Sequence, residues 1–319
     1  NAIRRQRQMC IRDRYLLYAL LAVSTGTALV SCSEDDLNAE SVITIDKKQA
    51  NDFDKWLTAN FVNPYNLEFK YRYEYKETDA DYYTIPAELN QAIEMAHLVK
   101  YLCLESYDEV AGIDFTRNYF PKMIFTIGEW EYRNNGTIIL GTAESGKKIL
   151  LTGVNYLDTY KSSPTALNHY YFKTIHHEFT HILNQTKEYS AEFKLITGNS
   201  YVADSWSEEP FNVGYLERGF ISDYAQHSDT EDFAEMMSLY VTNSKEQWDE
   251  WMAEAGENGA PLLQAKLDIV KSYMKDSWGI DMDKLRDTIL RRQADLAAGK
   301  VDLTDISAVS YTHLRAHET

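Results

Sequence analysis

The feature that most constrains this chain is the string His177-Glu178-Phe179-Thr180-His181, set in a stretch from Tyr171 to Leu183 whose apolar residues recur at helical spacing. On a helix, residues four apart share a face, so both imidazoles can reach one metal ion. Glu178, next to the first histidine, then points toward a water on that metal. Zinc lowers the pKa of such a water to about 7, and a nearby carboxylate can take its proton. Given the chain's histidine and acid content, chance produces this pattern in on the order of 1 in 50 such sequences. Ile175, Phe179, Ile182 and Leu183 make the helix largely buried, where two unpartnered histidines would be costly. The expectation is one zinc ion per chain, with His177 and His181 as ligands and Glu178 as general base.

A third ligand must come from elsewhere. The extended pattern His-Glu-x-x-His-x-x-Gly-x-x-His fails, because Asn184 and Lys187 occupy its last two required places, which excludes the metzincin type. The gluzincin type needs a glutamate on a later helix. Glu231-Asp232-Phe233-Ala234-Glu235 opens a helical pattern with Phe233, Met236, Met237 and Tyr240 apolar. Glu231 and Glu235 lie one turn apart on one face. We assign Glu231 to the metal and Glu235 to the ring N–H of a ligand histidine, the reverse order staying open. Asp229 and Asp232 read as a solvated acidic face. His169 and His176 have no partner by spacing and read as structural or solvent-facing, whereas His227, between Tyr224 and Glu231, could line the cleft. A purely structural zinc site would prefer four protein ligands including cysteine, and no cysteine cluster exists.

Both ends look foreign. Residues 1–14 (NAIRRQRQMCIRDR) and 309–319 resemble translated adapter read-through and are set aside, with His313 and His317 among them. Tyr15 to Val30 is an apolar run of signal-peptide length, short for a membrane span. It ends in Leu29-Val30-Ser31-Cys32, which resembles a bacterial lipobox, so residues 15–31 are expected to be removed and Cys32 acylated. Each buried methylene of such an anchor contributes about 0.8 kcal/mol. Ser33-Glu34-Asp35-Asp36 resembles the surface-export signal of Bacteroidetes lipoproteins, and residues 32–41 form the acidic linker to a folded domain at 42–308. The expected location is the outer membrane, facing outward. Cys10 and Cys103 offer no disulfide in this scheme. The formal net charge of −17 becomes more negative once the arginine-rich ends are removed, and with no basic stripe it argues against nucleic acid as a partner.

Within the folded part, periodicity predicts a helix over 47–61, a period-two strand over 67–75, and a helix opened by Pro86 and running to about Tyr107. Strands follow at Met123–Ile127, Thr137–Leu140 and Ile149–Val154, with Asn134-Asn135-Gly136 and Ser145-Gly146 as turns. Helical patterns then cover 168–186, 230–242, 245–255, 261–277 and 281–298, and a Gly-rich loop lies at 254–260. A mixed part with a small sheet followed by a mostly helical part suits an α+β, zincin-like domain.

Tyr224, seven residues before Glu231-Asp-Phe-Ala-Glu235, resembles the site of the anthrax lethal factor type of gluzincin. That resemblance implies that Tyr224 donates a hydrogen bond to the oxyanion or the leaving group. More widely, the lipobox at Cys32, His177-Glu-Phe-Thr-His181-Ile-Leu-Asn-Gln185-Thr and Gly219-Phe-Ile-Ser-Asp-Tyr224-Ala resemble the substrate-import-associated zinc metallohydrolase lipoproteins of Bacteroidetes. It implies a cell-surface zinc peptidase acting on a peptide or protein, beside an outer-membrane nutrient transporter complex. The alternative is an accessory lipoprotein that holds zinc, binds substrate or a partner through its tyrosine-rich surface, and turns over little. Glu178 beside both histidines favours the enzyme, since a structural site has no use for a general base.

Overall fold

The amphipathic run that opens the domain is helical from Asp52, not from 47. Asn51 stops it: its side chain accepts from Asp54 N while its own N–H donates to the Asp54 carboxylate, at 2.8 and 2.9 Å, a reciprocal cap. The computed structural model describes residues 50–78, 81–132, 138–144 and 147–307. Cys10, Cys32, His313, His317 and both expected turns, at 134–136 and 145–146, lie outside them. Helix α1 (Asp52–Leu57) continues into a π-helical turn, Thr58–Val62, and buries Phe53, Trp56, Leu57 and Phe61.

The expected strand over 67–75 is real only as β1 (Glu68–Lys70). Its neighbour β2 (Met123–Thr126) matches it for three residues, and beyond Lys70 the alternation has no strand to pair with. Leu67, Phe69 and Tyr71 are buried, whereas Tyr73 and Tyr75 are exposed. Pro86 does not open the next helix. Asn155 takes the Glu88 N–H and donates to the Pro86 carbonyl, and Pro86 bridges to Ile127, so α2 (Leu89–Leu98) begins three residues later. It passes through a second π turn, Val99–Leu104, into α3 (Glu105–Ala111), and α4 (Ile113–Tyr119) follows.

Strands β3 (Glu131–Tyr132) and β4 (Ile138–Ile139) pair antiparallel. The main sheet is completed by β5 (Gly141–Glu144) and β6 (Lys148–Leu151), in the order β1-β2-β6-β5. Its first three strands are parallel and β5 runs antiparallel to β6. All four residues of β6 are buried, as expected of a strand covered on both faces. The rest is helical: α5 (Lys173–Thr186), α6 (Glu192–Thr197), α7 (Asp229–Thr242), α8 (Lys245–Trp278) and α9 (Met282–Ala297). The loop expected at 254–260 is a single break at Gly256, whose φ of 63° and ψ of −162° suit glycine alone. Three residues on, Gly259 lets the helix backbone touch the Leu216 carbonyl; a Cβ there would sit 2.0 Å from that oxygen. No described helix is long and apolar enough to cross a membrane.

The motif helix α5 is preceded by a continuous helical lead-in, Pro164–Leu167 and the π turn Asn168–Phe172. Across the helix from its histidines, Phe179 is fully buried among Tyr107, Phe115 and Phe120, with centroids 5.0, 5.9 and 4.9 Å away. Truncating such a ring typically costs about 3–5 kcal/mol, so this cluster fixes the rotation of α5 about its axis. That rotation turns His177 and His181 toward α7.

Candidate active site

The helical spacing of His177 and His181 puts their imidazoles one turn apart on one face, edge to face with centroids 4.7 Å apart. Helix α7 lies against them. Ser228 caps it, accepting from Glu231 N at 3.3 Å, and this sets Glu231 in the first turn. The result is a triangle of donor atoms. Glu231 Oε2 stands 2.9 Å from His177 Nε2 and 3.2 Å from His181 Nε2, and the two ring nitrogens are 3.1 Å apart. Ligands at zinc–nitrogen and zinc–oxygen distances around a tetrahedral ion are separated by about 3.3 Å. The triangle is close to that size, and its two imidazoles and carboxylate are a donor set that suits zinc. Among the described residues, His177, His181 and Glu231 are the group placed to hold a metal ion.

Behind the triangle, Glu235 is fully buried. Its Oε1 lies 2.8 Å from His177 Nδ1, on an approach off the ring N–H axis. Lys173, one turn before His177 on the same helix, places its ammonium 2.8 and 3.0 Å from the two Glu235 oxygens. Ser222 Oγ donates to Glu235 Oε2 at 2.7 Å and in turn accepts from Ala225 N. Burial alone would lower the His177 pKa, but Glu231 and Glu235 outweigh it and hold the ring at about 9 in the metal-free protein. Burial works against ionising Glu231 and Glu235 too, yet His177 and His181 hold the first well below the usual carboxylate range, and Lys173 and His177 the second.

Glu178 and Tyr224 flank the group. A cavity of about 600 Å³ opens on it, lined by Glu178, His181 and Glu231 and extending past Asn184 to Glu188 and Lys194. Tyr224 sits in a short 3-10 turn, Tyr224–Gln226, fixed by Asp223, which accepts its N–H. Its ring is 6.0 Å from that of His177 and packs edge-on against Trp206 at 5.0 Å.

The remaining sequence candidates sort as follows. His176 is fully inside, its Nδ1 2.9 Å from the Tyr107 hydroxyl, and burial pushes it down to about 3, so it is a neutral core residue. His169 packs edge-on against Tyr170, its pKa lowered by burial. His227 stacks on Tyr224 at 5.8 Å and reaches Asp204 at 3.4 Å, outside the triangle. Asp232 is not the solvated acid its sequence suggests. It is fully buried against an equally buried Lys266, which also donates to the Gly219 carbonyl, and Tyr201 donates to the same carboxylate. Asp229 is also committed, accepting from Lys194 at 2.9 Å and from Tyr189 at 3.1 Å. Sequence reasoning did not find Lys173, Ser222 or Trp206. Lys173 carried a usable signal, since it stands one turn before His177 on the same face.

Two helices presenting two histidines and a glutamate at a cavity, with a carboxylate on its wall, define a candidate mononuclear metal site of hydrolytic type. The chain belongs to the family described as "putative zinc-binding metallo-peptidase", whose sequence model it matches over residues 46–283. It is also similar to a crystal structure described as a putative zinc-binding metallo-peptidase from Bacteroides caccae ATCC 43185. The two are 39% identical with a TM-score of 0.70, over 84% of this chain and all of that one. No curated protein matches the chain.

Proposed function

We propose that this protein is a zinc-dependent peptidase of the gluzincin type. One observation carries the reading: three donor atoms from two helices meet at about ligand–ligand spacing on the wall of a cavity that Glu178 also lines. His177, His181 and Glu231 hold the ion, which when bound supplies a Lewis acid that polarises a carbonyl and acidifies water. Glu178 takes the proton of the attacking water and passes it to the leaving amine. Glu235 keeps His177 in one orientation through Nδ1, and Lys173 and Ser222 hold Glu235. Tyr224, whose ring lies 6.0 Å from that of His177, donates to the developing oxyanion.

The test is digestion of a proteome-derived peptide library by the zinc-loaded chain, with products read by mass spectrometry. Glu178→Gln should keep zinc and lose about 10²–10⁴-fold in turnover. Tyr224→Phe should keep zinc and lose rate only. A Glu178→Gln variant as fast as the parent sinks the mechanism; a library left untouched by the parent favours the accessory, zinc-holding reading.

We further propose that the protein is acylated at Cys32 and acts at the cell surface beside an outer-membrane import complex. The support is the lipobox-like string and the acidic residues after it. Cys32→Ala should move the protein out of the membrane fraction, and failure of labelled palmitate to enter the parent chain would refute this.

A further inference from the structure

Most residues that line the cavity beside the donor triangle are polar or charged, and their charges are unequal. Its walls carry Glu178, Glu188, Asp229 and Glu231 against one lysine, Lys194. Lys194 is already paired with Asp229 at 2.9 Å. A bound divalent ion offsets Glu231 and Glu178. Glu188 is then the one charge left without a counter-charge: it is exposed, and none of the ion pairs or hydrogen bonds among the described residues involves it. The rest of the wall adds the same sign. Asn184 and Gln185 belong to the last turn of α5, where the helix ends at Thr186 and presents its carbonyl end, the negative pole of its dipole. Lys187, the cation that follows, does not answer this field. Its ammonium lies over the Trp278 ring at 4.3 Å and donates to the Ser277 carbonyl at 2.5 Å.

We infer that this cavity is a specificity pocket for a basic side chain, lysine or arginine, next to the bond to be cut, and that Glu188 is the residue that pairs with it. The inference rests on the peptidase reading for what the side chain belongs to, but not for the charge preference itself. A carboxylate on the wall of a cavity discriminates by pairing with a cation and by repelling an acid. Ala191 and the Tyr189 ring give the methylene stem of a lysine or arginine apolar surface to lie on, so the charge at its tip is what separates it from an uncharged side chain. The overall charge of −17 attracts basic peptides from a distance as well.

The test uses one peptide in three versions, with lysine, norleucine or glutamate at the position flanking the cut. Binding is measured by fluorescence anisotropy to the zinc-loaded full chain carrying Glu178→Gln. The lysine peptide should bind about 10-fold more tightly than the norleucine one, in keeping with a hydrogen-bonded charge pair, and the glutamate peptide more weakly than either. Adding Glu188→Gln should close the gap between lysine and norleucine. Adding Glu188→Lys should put the glutamate peptide first. Equal binding of all three, or a lysine preference that survives both Glu188 variants, overturns the inference. The library digest separates this from the wider reading. Cleavage without basic flanking residues, together with indifferent binding, removes the pocket and leaves the peptidase. A Glu188-dependent lysine preference with no cleavage by the parent chain removes the peptidase and leaves the pocket.

Discussion

Removing Glu235 separates the two roles proposed for Glu231 and Glu235. The residue is fully buried and touches three groups: His177 Nδ1 at 2.8 Å, both faces of its pairing with Lys173 at 2.8 and 3.0 Å, and Ser222 Oγ at 2.7 Å. In Glu235→Ala the metal-free fold loses a buried carboxylate whose cation remains. Breaking such a pair typically costs about 3–5 kcal/mol. The Lys173 side chain is 24% exposed, so it can turn its ammonium to water, and the lower end, about 3 kcal/mol, is expected. The three donor atoms survive, but His177 is free to rotate, which should weaken zinc by about 10–100-fold, or about 1.4–2.7 kcal/mol. Glu231→Ala removes one of the three donors and should leave no zinc at stoichiometric loading. The assay is competition with a chromophoric chelator for zinc, paired with urea unfolding in excess chelator to isolate the fold term. If Glu235→Ala is the metal-free variant while Glu231→Ala stays within 100-fold of the parent, the roles are reversed and the triangle is not the metal site.

Zinc affinity should fall as pH drops. Glu231 and Glu235 hold His177 at about 9 without metal, and zinc requires the neutral ring, so this group alone costs about tenfold per pH unit below 9. Because that pKa is raised above the ordinary 6.5, it also stabilises the metal-free fold fully below pH 6.5, and this is lost as pH rises through about 9. Chelator competition from pH 6 to 9 and urea melts in excess chelator check both; flat profiles refute them. Lys266→Met, which leaves Asp232 buried with Tyr201 as its remaining donor, should cost about 3–5 kcal/mol in urea unfolding, and adding Asp232→Leu should recover most of it. A single variant costing under about 1 kcal/mol would show that the pair is not desolvated as described.

What could be read from the sequence was local. The run from Ile175 to Leu183 carries its own period, so helix α5 and the shared face of its histidines needed no tertiary information. The same holds for the spacing of Glu231 and Glu235. What failed was pairing at a distance. Tyr73 and Tyr75 continue an alternating pattern after the neighbouring strand has stopped matching it. The Gly-Thr-Ala-Glu of β5 has almost no strand character of its own and becomes a strand because Leu151 to Lys148 offer it an antiparallel partner. Asp232 looked solvated because nothing beside it in sequence reveals Lys266, 34 residues on. Ser222 is likewise invisible until the loop before Tyr224 is folded against α7.

The donor triangle joins His181 to Glu231 across 50 residues of chain. No such triangle exists until α5 and α7 have docked, so an ion seated there favours the native state over the unfolded one. The stabilisation grows with the logarithm of free zinc, reaching about 2.7 kcal/mol at a hundred times the dissociation constant. If the triangle holds zinc as proposed, the loaded chain should outlast the metal-free one when both are exposed to a protease.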